Sequence, residues 1–77
     1  MSRPRFRQLD IRPALARGEE PFALIRSAVD RLAPGDGLTV VAPFLPAPLI
    51  ELLRGEGFRA EPTHRPDGAW SVNFWRD

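Results

Sequence analysis

Cysteine is absent from the sequence. That absence alone excludes disulfide frameworks, thiolate zinc sites, redox dithiols and any cysteine nucleophile. Lysine is absent as well, so the 11 strongly basic side chains are all arginines. No apolar run approaches the roughly 18 residues that a membrane span requires, and no signal-peptide core is present. A cytoplasmic protein without membrane contact is the resulting expectation. Histidine occurs once. His64 has no second imidazole or thiolate to complete a transition-metal site, so it reads as a surface side chain. Ser27 and Ser71 lack a nucleophile-elbow setting. The glycine pairs Gly35/Gly37 and Gly55/Gly57 follow helical patterns, where they act as caps rather than as phosphate loops. No metal and no cofactor are expected.

What is present is ordinary globular composition on a small scale. The 77 residues are 43% hydrophobic and 27% charged, enough for one domain with one thin core. Residues 1–4 read as a flexible basic leader. The net charge of +1 hides an uneven distribution: residues 1–12 carry four arginines against Asp10, while the remainder is slightly acidic. Such an arm could track a phosphate backbone. A solvated leader and first strand is the favoured reading, because non-specific nucleic-acid binding needs more phosphate contacts than one short arm supplies, and only Phe6 interleaves its arginines.

Residues 5–11 read as a bent or partly exposed strand, followed by a loop over Arg12–Glu20 punctuated by Pro13 and Gly18. Pro21 suits the first position of a helix, with Glu19 and Glu20 complementing its dipole. Phe22, Ile25, Val29 and Leu32 recur at spacings of 3, 4 and 3 and form one apolar face. Arg26 and Asp30 form an i,i+4 pair on the other side. The run 34–37 (PGDG) ends the helix, and residues 38–42 (LTVVA) are a buried central strand. After a proline-stiffened loop, Pro48 opens a second helix with Leu49, Leu52 and Leu53 inward, ending at Gly55 or Gly57. The remainder is a hairpin whose arms, 58–65 and 69–75, are joined by Pro66-Asp67-Gly68. Pro62 places its strand at a sheet edge.

This order predicts an α+β two-layer sandwich, β-α-β-α-β-β, with a four-stranded mixed sheet and two helices on one face. Both helix N-termini then emerge beside the C-terminal ends of the first two strands, the end where open α/β sheets bind ligands. Asp10, Arg12 and Arg17 from the first loop, Glu19 and Glu20 at the helix start, and Phe44 from the second loop gather there as a candidate binding edge. A salt-bridged loop that merely holds the helix entry explains the same residues. The opposite sheet face stays uncovered. With Trp70, Val72 and Phe74 toward the core, Trp75 points to that face, a candidate homodimer surface.

The runs Leu9-Asp10-Ile11-Arg12, Glu20-Pro21 before an amphipathic helix, and Leu32-Ala33-Pro34-Gly35-Asp36 resemble the TusA/SirA-like sulfur carriers. Leu9 through Pro13, Arg17 through Phe22, Ala42-Pro43-Phe44 and Gly68-x-Trp70-x-Val72 are more closely similar to the domain-of-unknown-function family 2249, a branch of that superfamily. The likeness runs from about residue 8 to 75 and implies the same sandwich. It also implies where a carrier would keep its thiol: aligned on the Cys-Pro-x-Pro motif, Gly18 takes the cysteine position and Glu19 the first proline. A persulfide carrier needs a thiolate, so cysteine-dependent sulfur transfer is excluded. Relatives that occur beside hemerythrin-like and respiratory proteins imply a redox context.

The resulting expectation is a non-catalytic module that docks an unknown protein partner or a small anionic ligand through Asp10, Arg12, Arg17, Gly18, Glu19, Glu20 and Phe44. RNA binding through the basic arm and open sheet face is the alternative. An enzyme using Glu19, Glu20 or Asp10 as a base ranks third.

Overall fold

In the computed structural model, which describes residues 5–76, the elements are β1 (Arg5–Asp10), α1 (Arg12–Ala16), α2 (Phe22–Asp30), β2 (Asp36–Ala42), α3 (Ala47–Gly55), β3 (Arg59–His64) and β4 (Trp70–Trp75). The basic leader expected at residues 1–4 lies outside the described residues. The strands form one sheet in the order β1-β2-β4-β3. β1 runs parallel to β2, and β4 is antiparallel to both β2 and β3. The strand richest in aliphatic side chains is therefore internal, and Val40, Val41 and Ala42 on it are fully buried. β3 is an edge strand, which lets Pro62 sit in it without breaking a ladder on both sides. The mixed β-α-β-α-β-β sandwich is what the hydrophobic pattern requires.

Ile25 and Val29 of α2 and Ile50 and Leu53 of α3 join Leu38, Val40, Val72 and Phe74 in one cluster. Both longer helices thus cover the same sheet face, as two crossovers of one hand dictate. The two helices are also tied to each other. Arg26 donates to both carboxylate oxygens of Glu56 at 2.9 and 2.5 Å. The expected Arg26–Asp30 pair is not the one formed. A bidentate carboxylate at the end of α3 outcompetes a single-turn contact, leaving Asp30 only a longer-range attraction.

Two further expectations change. The segment after β1 is not all loop: Arg12–Ala16 forms a short helix with Pro13 in its first turn, and Ala14 is buried. In α3 the inward pair is Ile50 and Leu53, while Leu52 is 39% exposed and Leu49 is half-buried. Residues 50 and 53 lie one turn apart on the sheet-facing side. That geometry rotates Leu49 and Leu52 onto the flank turned toward α2.

The hairpin turn closes as its residues demand. The Gly68 N–H donates to the Arg65 carbonyl at 3.0 Å, with Gly68 in the left-handed region at φ 88°. Pro66 and Asp67 fill the two central positions, and the Asp67 carboxylate accepts from the Ala69 N–H at 3.0 Å.

On the other face of the sheet, three cross-strand rows are set by the register. Gln8, Thr39, Asn73 and Glu61 form one row, and Asp10, Val41, Ser71 and Thr63 another. The third row begins with Phe6 beside Gly37, and Arg59 faces Trp75 at its far end. Gly37 is required by packing rather than by backbone angle. A Cβ there would stand 2.4 Å from the Phe6 ring and 2.8 Å from the Phe74 carbonyl oxygen. The Phe6 ring fills that space and meets Trp75 edge-on, at a centroid distance of 6.1 Å. Trp75 accordingly lies on the face opposite Val72 and Phe74, as its parity predicts.

Candidate binding groove

The end of the sheet where α2 and α3 begin is the end expected to carry a site, but its chemistry is largely apolar. A groove of about 430 Å³ opens there between the two helices. Ile11 forms its floor just beyond β1, Phe22 and Ile25 come from α2, and Leu49 and Leu52 come from α3. Pro21, Pro46, Pro48 and Phe44 complete the walls, and Glu20 is the one charged side chain in the lining.

Local sequence explains the construction. Proline fixes φ, so the β2–α3 loop holds Phe44 beside the helix start with little freedom to collapse over it. Pro46 precedes α3 as its N-cap residue, and Pro48 lies in its first turn. Phe22, at the first position of α2, has no neighbouring turn to cover it, and it remains 46% exposed. Phe44 is 52% exposed. Large apolar side chains held open on a rigid frame are unusual on a small domain, where burial is scarce.

The charged residues of this edge are committed to one another. Asp10 accepts from the Arg12 side chain at 2.7, 3.0 and 3.1 Å and from its backbone N–H at 3.0 Å. Those bonds lower the Asp10 pKa, the side-chain bonds most, and raise that of Arg12. Arg12 also reaches Asp67 in the hairpin turn at 3.3 Å, and Arg65 binds Asp67 at 3.2 Å. The network therefore spans the end of the sheet from β1 to the turn and faces away from the groove. Asp67 is held at about 2, first by the Ala69 N–H and then by Arg65.

Arg17 and Glu19 pair side chain to side chain, which lowers the Glu19 pKa. Glu20 accepts from the Phe22 N–H at 2.9 Å, satisfying a donor that the start of α2 would otherwise leave open. Of the residues singled out in the sequence, Glu20 and Phe44 line the groove. Asp10 and Arg12 belong to the turn network, and Arg17 and Glu19 form a local pair.

Gly18 lies in the connection between α1 and α2 at φ 74°, with open space where a Cβ would project. A cysteine there would be strained, and it would stand four residues before Phe22, outside the first turn whose dipole lowers a thiol pKa.

The groove residues that pattern reading did not reach are Phe22, Leu49 and Leu52 and the prolines around them. Their signal was present in the spacing of 48, 49 and 52. A helix carrying more leucines than one seam can bury has a second apolar flank. Among the described residues no group of three or more His, Cys, Asp or Glu side chains could hold a metal ion, and no helix is long and apolar enough to cross a membrane.

Sheet order, crossovers and groove together define a small two-layer α+β domain that presents an apolar trough where its two main helices begin. The chain belongs to the family described as Uncharacterized conserved protein (DUF2249), whose model matches residues 8–76. No curated protein and no solved structure matches it.

Proposed function

We propose that the chain is a non-catalytic binding module that takes apolar side chains of a protein partner into the groove between α2 and α3. One observation carries the reading: the groove is lined by aromatic, leucine and proline side chains while the neighbouring charges are already paired. A small anion finds little here. Arg12 and Arg17 are each bound to a carboxylate, and the Glu20 carboxylate occupies the Phe22 N–H. An apolar partner surface gains burial on a frame stiffened by Pro21, Pro46 and Pro48, so little ordering entropy opposes it. We read the domain as a TusA/SirA-like fold kept for its surface without its thiol. The element order and the left-handed backbone at Gly18, which would strain a cysteine, support that reading.

Affinity capture from a native lysate with Leu52→Glu and Arg12→Ala/Arg17→Ala variants tests the proposal. Leu52 is 39% exposed, so the glutamate leaves the fold intact while placing a charge in the trough. A partner held by the wild type and by the double arginine variant, and lost from Leu52→Glu, supports the groove. Retention by Leu52→Glu contradicts it.

A further inference from the structure

The two edges of the sheet are built differently. β3, at one edge, carries Pro62, and proline is one of the devices that stop an edge strand from pairing further. β1, at the other edge, has no proline, and among the described residues no strand pairs with its outer side. The ladder to β2 shows which groups face outward. The Ile11 N–H donates to the Val41 carbonyl at 3.0 Å, and alternation turns the N–H and C=O of Leu9 and Arg7 to β2 as well. The backbone groups of Phe6, Gln8 and Asp10 therefore point away from the sheet. A second exposed feature lies above that edge. α3 packs on β3 and α2 on β2, so α2 covers the β1 half of the sheet. Arg26 turns one flank of α2 toward Glu56 at the end of α3. Leu24, about 160° away around the helix, sits on the opposite flank, toward the β1 edge, and is 42% exposed. It takes no part in the groove lining.

From these two features we propose that two copies of the chain join β1 to β1, antiparallel about a twofold axis, and fuse their four-stranded sheets into one. In an antiparallel pair, residues that exchange hydrogen bonds both face the partner, so Phe6, Gln8 and Asp10 pair only with one another. In the register centred on Gln8, Gln8 meets Gln8 across the axis, Phe6 meets Asp10 and Arg7 meets Leu9. The three hydrogen-bonded pairs supply about six backbone bonds. Sliding the strands one way sets Arg7 against Arg7, a like-charge pair. Sliding them the other way loses one of the hydrogen-bonded pairs. One register therefore satisfies both the outward backbone groups and the charges, and a single strand supplies both halves of the match. Residues that meet share parity, so the helices of both copies lie on the same side and the two Leu24 flanks face each other across the axis.

The test exploits the absence of native cysteine. In this register the two Cα atoms at position 8 stand about 5.5 Å apart, within disulfide reach. Those at position 7 are diagonal neighbours about 7–8 Å apart, beyond it. Oxidation should link Gln8→Cys into a covalent dimer and leave Arg7→Cys unlinked. In sedimentation equilibrium the wild-type mass should rise with concentration from 8.6 kDa toward twice that value. Gln8→Pro removes the outward N–H at the axis and leaves the β2 ladder whole, so the dimer Kd should rise about tenfold or more. Leu24→Glu should raise it roughly tenfold, and Leu52→Glu in the groove should leave it unchanged. Circular dichroism verifies that each variant is folded; should Gln8→Pro fail to fold, Leu24→Glu and the two cysteine variants decide. A wild type that stays monomeric at every concentration, Arg7→Cys linking as fast as Gln8→Cys, or association unchanged by Gln8→Pro and Leu24→Glu would each overturn the proposal.

Discussion

Substitution of Gly37 by alanine isolates one packing contact that supports the whole open face. In a strand interior the exchange ordinarily stabilises, by roughly 0.5–1 kcal/mol, because glycine loses more backbone freedom on folding. Here the added Cβ arrives 2.4 and 2.6 Å from two carbons of the Phe6 ring and 2.8 Å from the Phe74 carbonyl oxygen. The ring belongs to an edge strand and can lift away. The carbonyl belongs to β4, whose Phe74 and Val72 are fully buried, and it cannot move without disturbing the core. Overpacking of that kind costs about 1–3 kcal/mol, so the steric term exceeds the entropic gain and leaves a net loss of about 1–2 kcal/mol. In a domain of this size that loss lowers Tm by roughly 4–16 °C. Thermal and urea unfolding of Gly37→Ala, with Phe6→Ala/Gly37→Ala as the partner measurement, separates the two contacts. The double variant should show less additional loss than the singles predict, since one clash disappears with the ring. An alanine variant as stable as the wild type would refute the packing argument.

Truncating Leu53, 1% exposed where α3 meets the sheet, to alanine should cost about 2–5 kcal/mol in urea unfolding. A change under about 1 kcal/mol would mean that the helix does not anchor the core as described. Asp67 has a folded-state pKa near 2 against an ordinary 3.8. The stability it contributes is therefore complete above about pH 4 and fades as pH falls toward 2. Asp67→Asn should flatten that part of the acid limb, and an unchanged limb would show that the turn network is not formed in solution.

The sheet was readable because each strand carries its position in its composition. The Val40-Val41 run marks an internal strand, Pro62 marks an edge, and Pro66-Asp67-Gly68 fixes the hairpin register. α1 was not readable: five residues with Pro13 among them and Gly18 soon after show no period, and Ala14 is the one buried residue that ties the helix down. Arg26 was paired with Asp30 because helical spacing is visible in a sequence, whereas Glu56, thirty residues away, becomes a neighbour only when α2 and α3 lie side by side.

The candidate site followed the same logic. Its location was legible from topology, since crossovers of one hand place both helix starts at one end of the sheet. Its chemistry was less so. Asp10 and Arg12 look available until the hairpin turn brings Asp67 and Arg65 to them, leaving Phe22, Phe44 and Leu52 as the exposed groups.

The most direct measurement is photo-cross-linking from the groove itself. A photoreactive phenylalanine analogue at Phe44 should give a discrete protein adduct in cells, and one at Arg54, on α3 but outside the groove lining, should not. The Phe44 adduct should vanish with Leu52→Glu and persist with Arg12→Ala/Arg17→Ala. An adduct that survives the Leu52 charge, or none from Phe44 at all, would contradict the account of the groove as the binding surface.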